Sequence, residues 1–446
     1  MAAATDAAPT GEEVPLSLEQ QLWQAAEKGD AEEVHRLIAL DADVDWADEE
    51  GVTSLMKAAE GGHCEVISAL LQAGAPWNAQ DKNGYTAGEY AMGCSQQEAV
   101  DLLLDFGTQA ELVLGALHRR MTCGSSSSAP NSDYLAQKLV YKGEQLLDAD
   151  GEAVMMGWET PLMLRHAELI CPMARGGAAA SSGAAAEAAA DAAAAGAAEA
   201  SPAAQAKVET VVAALAAAAL AEPAAEAGPG PSSAAAAGAG RGQRRKGHVL
   251  NVGFGLGIVD TAIQSHHPER HTIIEAHPDV VEHMLRQGWG ERPGVRILRG
   301  RWQDVLPELL AEAPYDGIFF DTYGEYYEEM REFHAHLPRL LARGGVYSFF
   351  NGLASDNIFF HMVYCRLIGL ELAAKGLKVD YEPLAVGELG DEVWQGVRTK
   401  YWHFETYFLP RVTHDDPLDS VAEESGEGEV EGEGEAAEGA EGKASA

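Results

Sequence analysis

The sequence predicts a mainly parallel α/β domain preceded by an all-α domain. Three observations predict it. Apolar strand-like runs alternate with helical patterns from His248 onward, and the N-terminal segment repeats itself at a fixed offset of 33 residues. A glycine-rich turn, Gly253-Phe254-Gly255-Leu256-Gly257, also directly follows the first run of the alternation. Strand–helix alternation of this length implies a doubly wound sheet. The 446-residue length allows roughly three domains.

The repeat comes first in the chain. Ala25-Ala26 recurs as Ala58-Ala59, Gly29 as Gly62, and Leu37-Ile38 as Leu70-Leu71 and Leu103-Leu104. Asp48 recurs as Asp81, Gly51 as Gly84, Thr53 as Thr86 and Gly74 as Gly107. This period resembles ankyrin repeats, about three of them over residues 17–112. In such a unit an Asp-x-x-Gly-x-Thr turn leads into two helices. Each unit has an apolar face that only a stacked neighbour covers.

Residues 113–133 read as a linker, because Gly124 to Ser132 is Ser-rich. Residues 134–175 regain aromatics. They carry short strands at Lys138–Tyr141 and Glu144–Asp148, then a helix starting at Pro161 with Thr160 as its cap. Residues 176–246 are nearly all Ala, Gly, Ser, Pro and Glu and read as a disordered insertion, with a helix conceivable at Gln205–Ala221. The core, 247–412, has strands expected at His248–Val252, His271–Glu275, Val295–Leu298, Tyr315–Asp321, Gly345–Phe350, Lys378–Leu384 and Tyr401–Leu409. The last two are close enough in sequence to pair antiparallel at the sheet edge. Helices are expected at Asp279–Gln287 and Glu325–Ala342. Residues 413–446 form an acidic tail that reads as disordered.

Charge narrows the partners. The formal net charge is −39, of which twelve acids and one Lys from Asp415 onward supply −11. A chain this acidic is a poor ligand for nucleic acid or anionic membranes. Its longest apolar run, Val211 to Ala221, is far below the ~20 residues of a membrane span. The N-terminus has no basic signal-peptide region. Five cysteines with no Cys-x-x-Cys spacing argue against a disulfide framework or zinc-thiolate site and for a reducing, cytoplasmic setting. Arg241, Arg244, Arg245 and Lys246 read either as a solvated linker end or as a nuclear-import patch.

Two groups of residues carry chemistry. The glycine turn lets the backbone approach a ligand closely, at the place where nucleotides bind such sheets. Position 258 is Ile, so the dinucleotide pattern Gly-x-Gly-x-x-Gly is not met. Glu275 closes the second strand, where a carboxylate can accept both ribose hydroxyls of an adenosine. Together they favour S-adenosylmethionine over NAD. Trp302 stands where it would cover the adenine face or serve the core, with Gln303 or Asp304 bonding the adenine amino group. The second group pairs Asp321, at the end of the fourth strand, with Glu159 in Trp158-Glu159-Thr160-Pro161. Two carboxylates facing one pocket suit the planar fork of a guanidinium. Guanidine nitrogens are poor nucleophiles, protonated below pH ~12. Catalysis must therefore position one nitrogen, stabilise its localising charge and take away a proton. Asp321 is expected to orient the attacking nitrogen and Glu159 to hold the rest.

These motifs, with Val154-Met155, Met163, Leu250 to Ile258, Gly300 to Asp304, Tyr315 to Tyr323 and Gly344-Gly345-Val346, resemble guanidinoacetate N-methyltransferase. The preceding repeats and Tyr401-Trp402-His403-Phe404-Glu405-Thr406-Tyr407 look more like its protein-modifying relatives, the type IV (N5) protein arginine methyltransferases. The resemblance implies a seven-stranded, Rossmann-like, S-adenosylmethionine-dependent methyltransferase domain after the ankyrin repeats. It implies methylation of the δ nitrogen of a protein arginine, with a ribosomal protein as the target class. It implies cofactor contacts from Tyr134, Met155, Met163, Gly253, Phe254, Gly255, Leu256, Gly257, Ile258, Glu275, Ala276, His277, Trp302, Gln303 and Asp321. Tyr141 stands near enough to take the role of Tyr134. The double-Glu loop of enzymes that methylate terminal arginine nitrogens is replaced here by Asp321-Thr322-Tyr323-Gly324. Two other readings compete: a small-molecule guanidine methyltransferase, and a non-catalytic ankyrin adaptor. The repeats suit a bound protein and favour the protein-modifying reading over the small-molecule one.

Overall fold

The computed structural model describes residues 15–122, 132–171, 247–323 and 327–415. The Ala-rich insertion and its basic end, nearly all of the Ser-rich stretch and the tail beyond Asp415 lie outside the described residues.

The repeats fold as three stacked helix pairs: α1 (Leu18–Lys28) with α2 (Ala31–Ile38), α3 (Ser54–Glu60) with α4 (Cys64–Gln72), and α5 (Ala87–Gly93) with α6 (Gln97–Thr122). The 33-residue register has a local cause at each recurrence. Asp48 Oδ1 accepts from the N–H groups of Glu50 and Val52, and Asp81 Oδ1 accepts likewise from Asn83 and Tyr85. Those turns deliver Thr53 and Thr86, whose hydroxyls cap α3 and α5. Leu22, Leu37, Ala59, Leu70 and Leu103 are fully buried between neighbouring pairs. Gly107 departs from its counterpart Gly74. Gly74 turns the chain at φ +96°, whereas Gly107 stays helical, and a Cβ there would meet the Trp77 ring at 2.7 Å. With no fourth repeat to enter, α6 continues to Thr122, so the first part of the stretch read as linker is helical.

After α7 (Ser132–Ala136), a small antiparallel sheet forms from β1 (Val140–Lys142), β2 (Gln145–Leu147) and β3 (Ala153–Met156), followed by α8 (Thr160–Ile170). Thr160 is the first residue of α8 rather than its cap. The 3₁₀ turn Gly157–Glu159 brings the backbone into helical geometry earlier, and the Thr160 hydroxyl donates to the Gly157 carbonyl.

The main sheet has seven strands in the order β6-β5-β4-β7-β8-β10-β9. They are β4 (His248–Val252), β5 (Arg270–Glu275), β6 (Val295–Arg299), β7 (Tyr315–Phe320), β8 (Leu341–Phe349), β9 (Leu377–Ala385) and β10 (Thr406–His414). The first five are parallel, and β10 runs antiparallel to both β8 and β9. Helices α9 (Ile258–Ser265), α10 (Pro278–Arg286), α11 (Trp302–Glu312), α12 (Tyr327–His334), α13 (Leu337–Leu340) and α14 (Ile358–Ala373) complete the domain. This is a Rossmann-like architecture. Several boundaries differ from expectation: β1 and β2 are shifted or shortened by one or two residues, β7 ends at Phe320 and not Asp321, and β8 starts at Leu341 and not Gly345. The helix expected to Ala342 breaks at Ala335-His336 and ends at Leu340, because Leu341 and Ala342 already belong to β8. The last strand begins at Thr406 instead of Tyr401, because Tyr401, Trp402 and Phe404 pack in a coil around Trp158 and Trp394.

The two domains share a core. Phe359, Met362 and Val363 of α14 lie in the same apolar cluster as the repeat residues. Phe359 fills the notch above Gly88 of α5, where a Cβ would overlap its ring. At the start of α14, the Asn357 amide donates to Glu89 Oε2 at 2.7 Å, and Arg366 pairs with Asp105.

Candidate active site

The strand order reverses around β4, with β5 on one side and β7 on the other. A crevice opens at such a switch point, beyond the carboxyl ends of the strands. The glycine turn sits at its base. Gly253 adopts φ +97°, and a Cβ there would stand 1.8 Å from the Asp321 carbonyl oxygen. Gly255 (φ +53°) leaves room for Met155, whose sulfur would lie 2.8 Å from a Cβ. Buried Asn251 pins the turn by donating to the Gly253 carbonyl at 2.7 Å and to Asp260.

The crevice is lined by Tyr134, Leu135, Val154, Met155, Gly253, Gly255, Glu275, Ala276, Val280, Gly300 to Gln303, and Asp321 to Tyr323, among others. The space between these residues is about 800 Å³ with the open mouth included. Of the cofactor residues expected, Tyr134, Met155, Gly253, Gly255, Glu275, Ala276, Trp302, Gln303 and Asp321 line it. The others stand one layer back. Met163 and Phe254 are fully buried core residues, Phe254 edge-on to Trp289. Leu256 donates its N–H to the Met155 sulfur. Gly257 caps α9, which starts at Ile258. His277 supports the ring of Tyr134 at 5.0 Å. Tyr141 stacks on His283 away from the crevice. Asp304 lies against Arg301, outside the crevice, which leaves Gln303 on its wall. Leu135, Val154, Val280, Arg301, Thr322 and Tyr323 also line the crevice, and the sequence reading gave none of them a cofactor role; Leu135, Val154 and Val280 carry no polar signal.

Glu275 is tied more firmly than a free strand-end acid. Its carboxylate accepts from Phe254 N–H at 2.9 Å and His277 N–H at 2.6 Å. Burial raises its pKa, and these backbone donors oppose that rise. Other crevice polar atoms are buried without a partner among the described residues: Trp302 Nε1, Gln303 Oε1 and Thr322 Oγ1. Buried polar groups are normally bonded, so such a cluster beside a glycine cradle fits a polar ligand such as an adenosine-bearing cofactor.

A second recess adjoins the crevice and shares Val154, Asp321, Thr322 and Tyr323 with it. Ala153, Glu159, Phe320, Met330, Phe350, Gly352, Leu353 and Tyr401 complete its lining. The two carboxylates that sequence reasoning paired, remote along the chain, therefore meet in one recess, with Asp321 at the junction. Glu159 arrives there because Gly157 packs tightly on Glu144, its N–H donating to the Glu144 carbonyl at 2.7 Å. Burial first, then the negative charge of Asp321, lifts the Glu159 pKa to about 8, while hydrogen bonds from Tyr401 and Met156 N–H act the other way. Asp321 keeps part of its surface open to the cleft, yet desolvation lifts its pKa to about 7. An apolar wall with two acids reluctant to ionise in one recess attracts a cation.

Comparison with known proteins agrees with this architecture. Residues 22–112 match the family model for ankyrin repeats (3 copies), and 203–367 match that for guanidinoacetate N-methyltransferase. Protein arginine N-methyltransferase 2 of Cryptococcus neoformans is 32% identical over 422 residues, which cover 89% of this chain and 95% of that protein. The Aspergillus oryzae protein of the same name is 31% identical, covering 76% of this chain and 75% of its own length. The chain belongs to the protein arginine N-methyltransferase 2 family. That of Yarrowia lipolytica reaches 46% identity over 170 residues, 37% of this chain and 36% of that protein. Among the described residues no helix is long and apolar enough to cross a membrane, and no cluster of His, Cys, Asp and Glu is placed to hold a metal ion.

Proposed function

We propose that this chain is an S-adenosylmethionine-dependent methyltransferase acting on the δ (N5) nitrogen of arginine in protein, with a ribosomal protein as the target class and the cytoplasm and nucleus as its setting. The observation that carries the reading is the convergence of Glu159 and Asp321 in a recess that opens into the glycine-lined crevice. When bound, the cofactor supplies an electrophilic methyl group on a sulfonium sulfur. Gly253 and Gly255 would cradle it, Glu275 would accept from its ribose, and Trp302 and Gln303 would receive its adenine.

The chain's own residues then have three tasks. Glu159, deep in the recess, holds the outer guanidinium nitrogens. Asp321, at the junction, accepts from the N–H of the nitrogen that faces the crevice and so turns the face on which that nitrogen's delocalised lone pair localises toward the methyl-bearing side. As positive charge localises on that nitrogen, the two carboxylates stabilise it in surroundings that exclude water. A carboxylate whose pKa is lifted to about 7 also serves as proton acceptor at neutral pH, and Asp321 is placed for that role. Met330, Phe350 and Leu353 supply apolar contact for an arginine stem. The family's name supports a protein arginine as acceptor, and the repeats favour a protein partner over a free metabolite.

The test is isotope-labelled S-adenosylmethionine with cell extract, followed by fragmentation mass spectrometry of the labelled protein. Label on the δ nitrogen of one arginine is expected. Label on an outer nitrogen overturns the N5 assignment. Methylation of free guanidinoacetate without any of polypeptide favours the small-molecule reading, which the family-model match to guanidinoacetate N-methyltransferase keeps in contention.

A further inference from the structure

Glu159 is not the last polar member of the recess. Its Oε1 accepts from Met156 N–H at 3.0 Å and also from the phenol O–H of Tyr401. The Tyr401 oxygen in turn accepts from Trp158 Nε1 at 3.1 Å. A phenol has one proton to give. With an N–H already pointing at its oxygen, Tyr401 must aim that proton at Glu159. The ring itself is fixed edge-on to Trp394 at 5.1 Å and tilted against Trp158 at 5.9 Å.

We propose that Tyr401 is a positioning residue for guanidinium binding, acting through Glu159; this rests on the reading of the recess given above. Tyr401, oriented by Trp158, and the Met156 N–H together occupy both lone-pair directions of Oε1 and leave Oε2 as the oxygen that meets a guanidinium. Donation from a phenol to the carboxylate also favours its ionised form, the form that a cation requires. Tyr401 lies in the coil before β10, more than two hundred residues from Glu159, so the pairing exists only in the folded chain. The groups whose charge bears on Glu159 are Asp321 after β7, Tyr401, and Tyr407 of β10. A change in its titration in a Tyr401 variant is read against Asp321 and Tyr407 left intact.

The test uses the full chain saturated with S-adenosylhomocysteine and N-ethylguanidinium as the probe, titrated calorimetrically between pH 6 and 9. Tyr401→Phe removes one hydroxyl and keeps the ring. It is expected to weaken binding about tenfold or more at pH 7, to move the pH midpoint of binding upward, and to leave S-adenosylhomocysteine affinity unchanged. Adding Tyr401→Phe to Glu159→Gln is expected to cost nothing further, because the tyrosine acts through that carboxylate. Unchanged affinity and pH midpoint in Tyr401→Phe, or a full additive loss in the double variant, overturns the proposal. If Glu159→Gln itself binds the probe like the wild type, the guanidinium reading of the recess fails instead. Should Tyr401→Phe not fold, Trp158→Phe decides by the same criteria. It frees the phenol to turn away and is expected to show the same upward pH shift at smaller amplitude.

Discussion

Glu159 and Asp321 each have a pKa raised by burial, to about 8 and about 7. Both must be ionised to hold a guanidinium, so kcat/KM is expected to rise with pH from 6 to 8.5; a flat profile would contradict the assignment. The same shifts oppose stability. An acid whose pKa is higher folded than unfolded contributes stability below its unfolded pKa, near 4, and that contribution is lost as pH rises through its folded value. For this pair the window runs from about pH 4 to 8. Glu159→Gln is therefore expected to unfold at a higher temperature than wild type at pH 8.5, with the gain shrinking toward pH 4. Calorimetric scans at both pH values check the sign. Asp321→Asn is expected to lose turnover by several orders of magnitude while the fold and part of the cofactor affinity survive. Near-normal activity in that variant would remove Asp321 from the chemistry. At this scale the sequence was informative about residue type and silent about enclosure. A carboxylate at a strand end is ordinary until a second one, 162 positions away in the chain, proves to share its recess. Tyr401 escaped notice as a site residue for a related reason: in a run of aromatics it read as strand, and only its coil conformation aims the hydroxyl at Glu159.

The glycine turn shows why some elements were legible without coordinates. Its spacing after a buried strand follows from backbone conformation, which is local. Gly253→Ala is expected to destabilise by well over ~1 kcal/mol, because the left-handed backbone alone costs a Cβ about that much and the overlap is with the fixed Asp321 carbonyl. Equilibrium urea unfolding measures it, and a silent substitution would mean that the turn is not held as described. The repeat turns are legible for the same reason: Asp81 and Thr86 bond to backbone within a few residues. Boundaries were read less well where tertiary contacts overruled local pattern. The aromatic run at Tyr401 has strong strand propensity, but packing around Trp158 and Trp394 keeps it irregular. Likewise the apolar residues after α12 continue a helical pattern until pairing with β7 draws Leu341 into the sheet.

At the scale of the whole molecule, the repeats do more than flank the methyltransferase domain. The segment from Phe350 to Asn357 lines the recess at one end, through Phe350, Gly352 and Leu353, and meets Glu89 of the third repeat at the other. Ser355 links the same segment to the Tyr401 carbonyl and the His403 N–H. Phe359→Ala would empty the notch at Gly88. It is expected to cost about 3–5 kcal/mol and to raise KM for the protein acceptor in the fraction that remains folded. Calorimetry and steady-state kinetics test both parts; a stability loss with unaltered KM would confine the contact to a structural role.

The sequence by itself determined the two-domain order, the repeat register, the mainly parallel seven-stranded sheet and the glycine turn, because each is written in short-range periodicity or in a backbone conformation that few residues adopt. Only the tertiary structure decided which residues face the crevice and which stand behind it, how far the two acids paired from sequence are enclosed and what orients them, and that the third repeat braces their wall. Those outcomes depend on pairings between segments far apart in the chain, and burial and close packing select among them only once the whole molecule has folded.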